Sequence, residues 1–231
     1  MAPVALVTGA NRGLGFEVAA QLGALGHTVV LGCRRSSSGE EARRRLEATG
    51  ASAELVLLDI ADAASVEGAV AEIDRRHGRL DVLVNNAAVN FDPDRRAATV
   101  ALDEVRATME TNVFGGWYLL QLALPLLRRS GHPRVVNVSS RAGSLTGMEG
   151  GSPSYRMSKV ALNAMTRMLA DELRPDGILV NSVCPGKSAT EMVGFEGRPP
   201  DVGAAGIVWA ATLPDDGPTG GFFRDRRPVA W

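Results

Sequence analysis

The sequence predicts one α/β domain, a doubly wound parallel sheet with helices on both faces. Three observations predict it. Short apolar runs alternate with longer amphipathic stretches from one end of the chain to the other. The short runs carry Val, Leu and Ile at both odd and even positions, as strands covered on both faces do. No repeat, low-complexity segment or long linker divides the 231 residues, and sheet-plus-helix chains of this size commonly form one core.

Taken in order, residues 4–8 (Val4-Ala5-Leu6-Val7-Thr8) read as a strand that enters a glycine-rich turn, and 14–25 as the helix leaving it. Strand 28–33 follows, then helix 39–48, strand 53–58, helix 63–76 and strand 80–85. A long helical region spans 102–129, with a bend expected at Pro125 because proline removes a backbone donor. Strand 134–139, helix 154–174 and strand 178–183 come next, then a helix over 200–212 and a last strand over 221–224. The sequence thus reads as one domain over 1–231, with two Gly- or Pro-rich loops, 141–153 and 187–199, expected to move.

Bulk properties exclude several functions. The net charge is -1, which gives no steering toward nucleic acid or an anionic membrane. The run Arg43-Arg44-Arg45 reads as solvated helix surface. The two cysteines, Cys33 and Cys184, flank apolar runs and read as buried free thiols. His27, His77 and His132 lack ligand spacing and read as exposed polar residues, so no metal is expected. There is no basic and apolar leader after Met1 and no apolar run long enough for a bilayer, so a soluble, cytoplasmic protein is expected.

The first turn carries chemistry. In Thr8-Gly9-Ala10-Asn11-Arg12-Gly13-Leu14-Gly15 the glycines let the backbone turn tightly and approach a pyrophosphate seated on a helix N-terminus. Glycine-rich turns also occur as plain turns; the strand before and the helix after favour a Rossmann-type dinucleotide site. Such a site selecting NAD places an acid at the end of the second strand. Here Leu31-Gly32-Cys33-Arg34-Arg35 offers none. Arg34 and Arg12 are instead available to flank a 2′-phosphate, with Ser36 and Ser37 as further donors. NADPH/NADP+ is therefore expected in preference to NADH.

At the other end, Tyr155 and Lys159 stand four apart on an expected helix, hence on one face. Alone they are an ordinary surface pair. With the glycine turn they read as an acid beside a nucleotide, because a neighbouring ammonium lowers a phenol's pKa from about 10. Ser140, at the carboxyl end of strand 134–139, can hydrogen-bond an oxygen that gains charge; Ser139 competes for that role. Asn112 can hold a water that feeds protons to Lys159, although alone it reads as a polar helix residue.

These motifs, in this order, resemble the short-chain dehydrogenase/reductase family over essentially the full chain. The matches are the Thr8–Gly15 turn, Asp59 after the third strand, Asn85-Asn86-Ala87 after the fourth, Asn112, Ser140, Tyr155, Lys159, and Pro185-Gly186 with Thr190. The resemblance implies a cofactor site of Gly9, Asn11, Arg12, Gly13, Leu14, Gly15, Arg34, Asp59, Ile60, Asn86, Ala87, Pro185, Gly186 and Thr190, joined by Tyr155 and Lys159. It places Asp59 and Ile60 against the adenine, Asn86 in support of the central strand, and Thr190 at the nicotinamide or diphosphate. Asp59 also reads as a helix N-cap. The implied catalytic set is Asn112, Ser140, Tyr155 and Lys159, and the implied partner is a small-molecule carbonyl substrate.

Four departures stand out. Ala88 replaces the family's usual glycine, the Ser140–Tyr155 interval is slightly long, Lys187 and Ser188 replace apolar residues, and the segment after Gly186 is short. With the ending Gly220-Gly221-Phe222-Phe223-Arg224-Asp225-Arg226-Arg227, the last suggests a carbonyl-reductase-like member. The expected activity is NADPH-dependent reduction of a ketone or aldehyde with Tyr155 as general acid. The alternatives are oxidation of a secondary alcohol by the same groups or a nucleotide sensor with little turnover. Epimerases of this fold carry a longer segment after the sheet, and dehalogenating relatives lack the turn and the lysine. Phe91, Trp117, Met148, Met192 and Phe195 are candidates for an apolar substrate pocket. Helices 102–129 and 154–174 pair subunits in many relatives, leaving a homodimer or homotetramer open beside a monomer.

Overall fold

The structure, a computed structural model, describes residues 2–89 and 92–231. Its eight strands form one sheet in the order β3-β2-β1-β4-β5-β6-β7-β8. The strands are β1 (Val4–Thr8), β2 (Thr28–Cys33), β3 (Ala53–Leu57), β4 (Val82–Asn85), β5 (Arg134–Val138), β6 (Leu179–Val183), β7 (Phe222–Arg224) and β8 (Arg227–Pro228). All neighbours are parallel except β7 and β8. β1 pairs β2 on one side and β4 on the other, so the winding reverses at the end of β1. A crevice opens at such a reversal, outside the strands' carboxyl ends.

The apolar residues at both parities divide between two cores. Leu6, Val30, Leu83 and Val135 point to one face, where helices α3 (Ala63–His77), α5 (Gly115–Leu127) and α6 (Pro153–Glu172) supply Ile73, Leu120 and Met165. Val7, Leu31, Val84 and Val136 point to the other, against α1 (Gly13–Ala24), α2 (Ser36–Glu47) and α7 (Pro200–Ala211), which supply Leu22, Leu46 and Ile207. Each of β1 to β6 thus feeds both layers through its twofold alternation. Asp81 fixes the amino end of β1, accepting from the Val4 amide at 2.7 Å and from the Ser130 hydroxyl at 2.6 Å. Among the described residues no helix is long and apolar enough to cross a membrane.

Several boundaries differ from the sequence reading, each for a local reason. α2 begins at Ser36, three residues early, and Gly39 lies inside it. A Cβ there would stand 2.5 Å from Leu55 Cδ1, so this glycine allows close packing on β3 and does not mark a helix start. The region 102–129 is interrupted at Glu110–Phe114, a π turn between α4 (Leu102–Met109) and α5; α5 continues through Pro125. There the Gly115 amide donates to the Glu110 carbonyl, and a Cβ on Gly115 would lie 2.0 Å from the Ile60 carbonyl oxygen. The last hairpin was not expected: Asp225 and Arg226 take φ 52° and 63° without a glycine to announce the turn. His27 is buried at 9% exposure, against the expectation, and burial pushes its pKa down. His77 is also drawn in, 3.2 Å from Glu54.

Gly115→Ala forces the methyl into the Ile60 carbonyl. It should destabilise by about 1–3 kcal/mol, the usual cost of overpacking, read from denaturant midpoints at constant m. An unchanged midpoint would show that α5 moves aside freely.

Candidate active site

A cleft of about 1000 Å³ follows the carboxyl ends of the strands from α2 to Lys159. It reaches every expected cofactor residue from Gly9 to Thr190, along with Ser140, Tyr155 and Lys159. Asn112 stands just behind it, 5% exposed, in the π turn.

The glycine turn is built by close approach. The Thr8 hydroxyl accepts from the Asn86 and Ala87 amides, both at 2.9 Å, while the Asn86 side-chain amide donates to the Thr8 carbonyl at 2.7 Å. Gly9 has φ 65°, and a Cβ on it would meet Ala87 Cα at 3.2 Å. A Cβ on Gly15 would meet the Gly9 carbonyl oxygen at 2.4 Å. Arg12 precedes α1 in extended conformation without a side-chain cap, and no acid stands in the first helical turn. The first amides of α1 are thus left for an outside anion. This bare, uncapped cradle fits a dinucleotide pyrophosphate.

At the α2 end, Arg34 is exposed and Arg12 forms an ion pair with Glu191. Asp59 is not the helix cap. Asp62 caps α3, accepting from the Ala64 amide at 3.1 Å, while Asp59 accepts from Ala61 and lines the cleft with Ile60. The cap belongs to Asp62 because that residue takes the extended conformation at the start of α3.

At the α6 end the groups are drier. Lys159 is 2% exposed and its Nζ donates to the Val138 carbonyl at 2.8 Å. The Ser140 hydroxyl hydrogen-bonds the Tyr155 side chain. Ser139 Oγ is buried without a partner among the described residues, so geometry favours Ser140 over its neighbour. The Asn112 amide is fully engaged: Oδ1 accepts from the Val89 amide at 2.8 Å, and Nδ2 donates to the Val89 carbonyl and to Ser158 Oγ. Ser158 in turn donates to the Tyr155 carbonyl at 2.8 Å. Asn112 thus braces the helix carrying Tyr155 through its side chain, a structural contact beside the water-holding role expected of it. Asp92, absent from the sequence reading, accepts from the Ser154 and Tyr155 amides at the start of α6. It lies 62 residues from Ser154 in the chain, so no local pattern reveals the cap.

Burial sets the protonation states. Loss of hydration pushes the Tyr155 phenol up to about 12, with Ser140 opposing and Cys184 adding to the rise. Loss of hydration also pulls the Lys159 ammonium down to about 8, against Cys184. The Tyr155 phenol is therefore pushed up by burial, where a lowering by Lys159 was expected. Lys159 Nζ lies 5.5 Å from the Tyr155 ring centroid and donates to the Val138 carbonyl, and desolvation dominates the phenol.

Each loop has specific contacts. Gly143 packs on the Lys159 backbone, where a Cβ would come within 2.6 Å, and the Asn163 side chain holds its carbonyl at 3.0 Å. Across 187–199, Ser188 bridges Arg198, and Lys187 pairs with Glu196 at 2.5 Å. The Lys187 charge is thereby directed to a carboxylate at the surface. Of the pocket candidates, Met192 and Phe195 line the cleft, whereas Trp117 packs against the core and Met148 stands outside the cleft lining. Phe91 lies outside the described residues.

Residues 3–199 match the short chain dehydrogenase family model. The chain is 34% identical to carbonyl reductase (NADPH) 1 of Sus scrofa, over 99% of this chain and 94% of that one. It is 33% identical to salutaridine reductase of Papaver bracteatum, over 95% and 93%. Among solved structures, NADPH-bound carbonyl reductase from chicken fatty liver superposes with TM-score 0.88 at 28% identity, covering 99% of this chain and 98% of that one. Salutaridine reductase from Papaver somniferum gives TM-score 0.85 at 29% identity, covering 96% and 99%.

The buried lysine carries a signature in stability. Its folded pKa of about 8 lies below the ordinary lysine value of 10.5, so between those values the unfolded chain holds more protons and stability rises with pH. Lys159→Met should abolish that rise and stabilise the protein at pH 7 by up to about 3 kcal/mol. Chemical denaturation from pH 7 to 10 checks it; parallel curves for the two proteins would show that Lys159 is not held at a depressed pKa.

Proposed function

Given that the chain belongs to the short-chain dehydrogenase/reductase family as a carbonyl-reductase-like member, we propose that it reduces a ketone or aldehyde to an alcohol with NADPH. One observation carries the reading. Ser140, Tyr155 and Lys159 meet at one end of a cleft whose floor is the bare glycine turn. When bound, the nicotinamide supplies the hydride.

The chain's own groups do the rest. The substrate oxygen sits where the Ser140 and Tyr155 hydroxyls can both reach it, and Ser140 stabilises the charge that develops there. Tyr155, pushed up to about 12, holds its proton at neutral pH and gives it to that oxygen. This protonation state favours reduction over alcohol oxidation, which needs the phenolate. Lys159 is the group we assign to replacing that proton, since a pKa of about 8 keeps it mostly charged at pH 7 but able to release. Asn112, through Ser158, and Asp92, at the start of α6, hold Tyr155 in place.

Cofactor choice rests on Arg12 and Arg34 with no acid between Gly32 and Ser38. NADPH is preferred to NADH on that ground, and the relatives named for NADPH point the same way.

The test is NADPH consumption with a panel of ketones, aldehydes and quinones. Tyr155→Phe should lower turnover about 10²–10⁴-fold, the range of general-acid catalysis, while NADPH still quenches or shifts protein fluorescence. Near-normal turnover in the variant would sink the assignment; NADPH binding without consumption of any substrate would favour a sensor.

A further inference from the structure

α2 presents one face to the cleft. Ser38, Glu41, Ala42 and Arg45, at i, i+3, i+4 and i+7, all line it. Arg43 lies off that face, engaged by Glu40 and Glu47 on its own helix. Arg45 has no carboxylate partner among the described residues. Its Cζ instead lies 4.1 Å from the centroid of the Phe16 ring, on α1. Phe16 is 9% exposed and fixed in the core between α1 and the sheet. A guanidinium resting on a fixed ring keeps its charge and loses little freedom when it meets a second partner.

The same end of the cleft holds Arg12, Arg34 and Arg35. Of the carboxylates beside them, Asp59 is turned onto the Ala61 amide and Glu191 onto Arg12, which leaves Glu41. The pyrophosphate is met by the uncapped amides of α1, so this cationic surplus faces a different group. We propose that Arg45, held by Phe16, is a specificity-determining residue that selects a phosphorylated ribose from α2. This deepens the NADPH reading and rests on it. It assigns part of the selection to a helix face rather than to the glycine turn and the end of β2 alone.

The test is calorimetric binding of two probes, adenosine 2′,5′-bisphosphate and adenosine 5′-monophosphate, to the full chain. The wild-type protein should bind the bisphosphate more tightly. Arg45→Met should weaken the bisphosphate about fivefold, the upper size of an exposed charge contact, and leave the monophosphate unchanged. Phe16→Leu, which keeps an apolar side chain in the core, should lose part of the same preference, and Arg45→Lys should retain part. The salt dependence of bisphosphate binding should fall in Arg45→Met. Equal weakening of both probes, or no change in either, overturns the role of Arg45. A wild-type protein that binds the two probes alike would overturn the NADPH reading as well, so the two failures are distinguishable.

Discussion

The Thr8 hydroxyl is the joint on which the site depends. It accepts two amides, from Asn86 and Ala87, and donates to the Val84 carbonyl at 3.4 Å, while Asn86 returns a bond to the Thr8 backbone. Thr8 is 2% exposed, and its hydroxyl and carbonyl are met by groups at the end of β4. Buried polar networks of this kind specify one arrangement, because a slipped register leaves donors and acceptors unpaired where no water can reach. The joint lies where the sheet reverses its winding. It therefore sets the distance between the glycine turn and the end of β4, and with it the floor of the cleft.

The chemical end depends on exclusion of water. Lys159 and Tyr155 occupy a region where hydration is lost, and the two titrations move in opposite directions for one reason: the charged form of each is penalised. A neutral tyrosine with its proton in place agrees with the proposed reduction. A lysine drawn toward neutrality suits a group that gives up a proton and regains it. Gly143 lets the loop after β5 pack against the Lys159 backbone.

The helix α6 is held from outside its own segment. Asp92 accepts from its first amides, Asn112 reaches Ser158, and the π turn lets Gly115 fit against Ile60. These contacts join the loop after β4, the α4–α5 region and the loop after β3 to one another. Substrate and cofactor ends are thus parts of one packed unit, with α2 supplying the outer wall at the cationic end.

Readable along the chain were the alternation of strands and helices, the glycine turn, the missing acid after β2 and the Tyr155–Lys159 spacing. These are local facts: a period of 2 or 3.6 and a few residue types at short separation carry them. The tertiary structure alone decided the rest. Asp62 rather than Asp59 caps α3, and Asp92 holds the first amides of α6. Asn112 is spent on Val89 and Ser158, and Trp117 turns to the core. The acidity of Tyr155 reversed its expected direction for the same reason. A pKa, a cap supplied from 62 residues away, or the close approach of Gly115 to Ile60 is set by what packs against a group after the chain has closed. Spacing along the sequence records which residues share an element, while burial and long-range partners exist only once the elements meet.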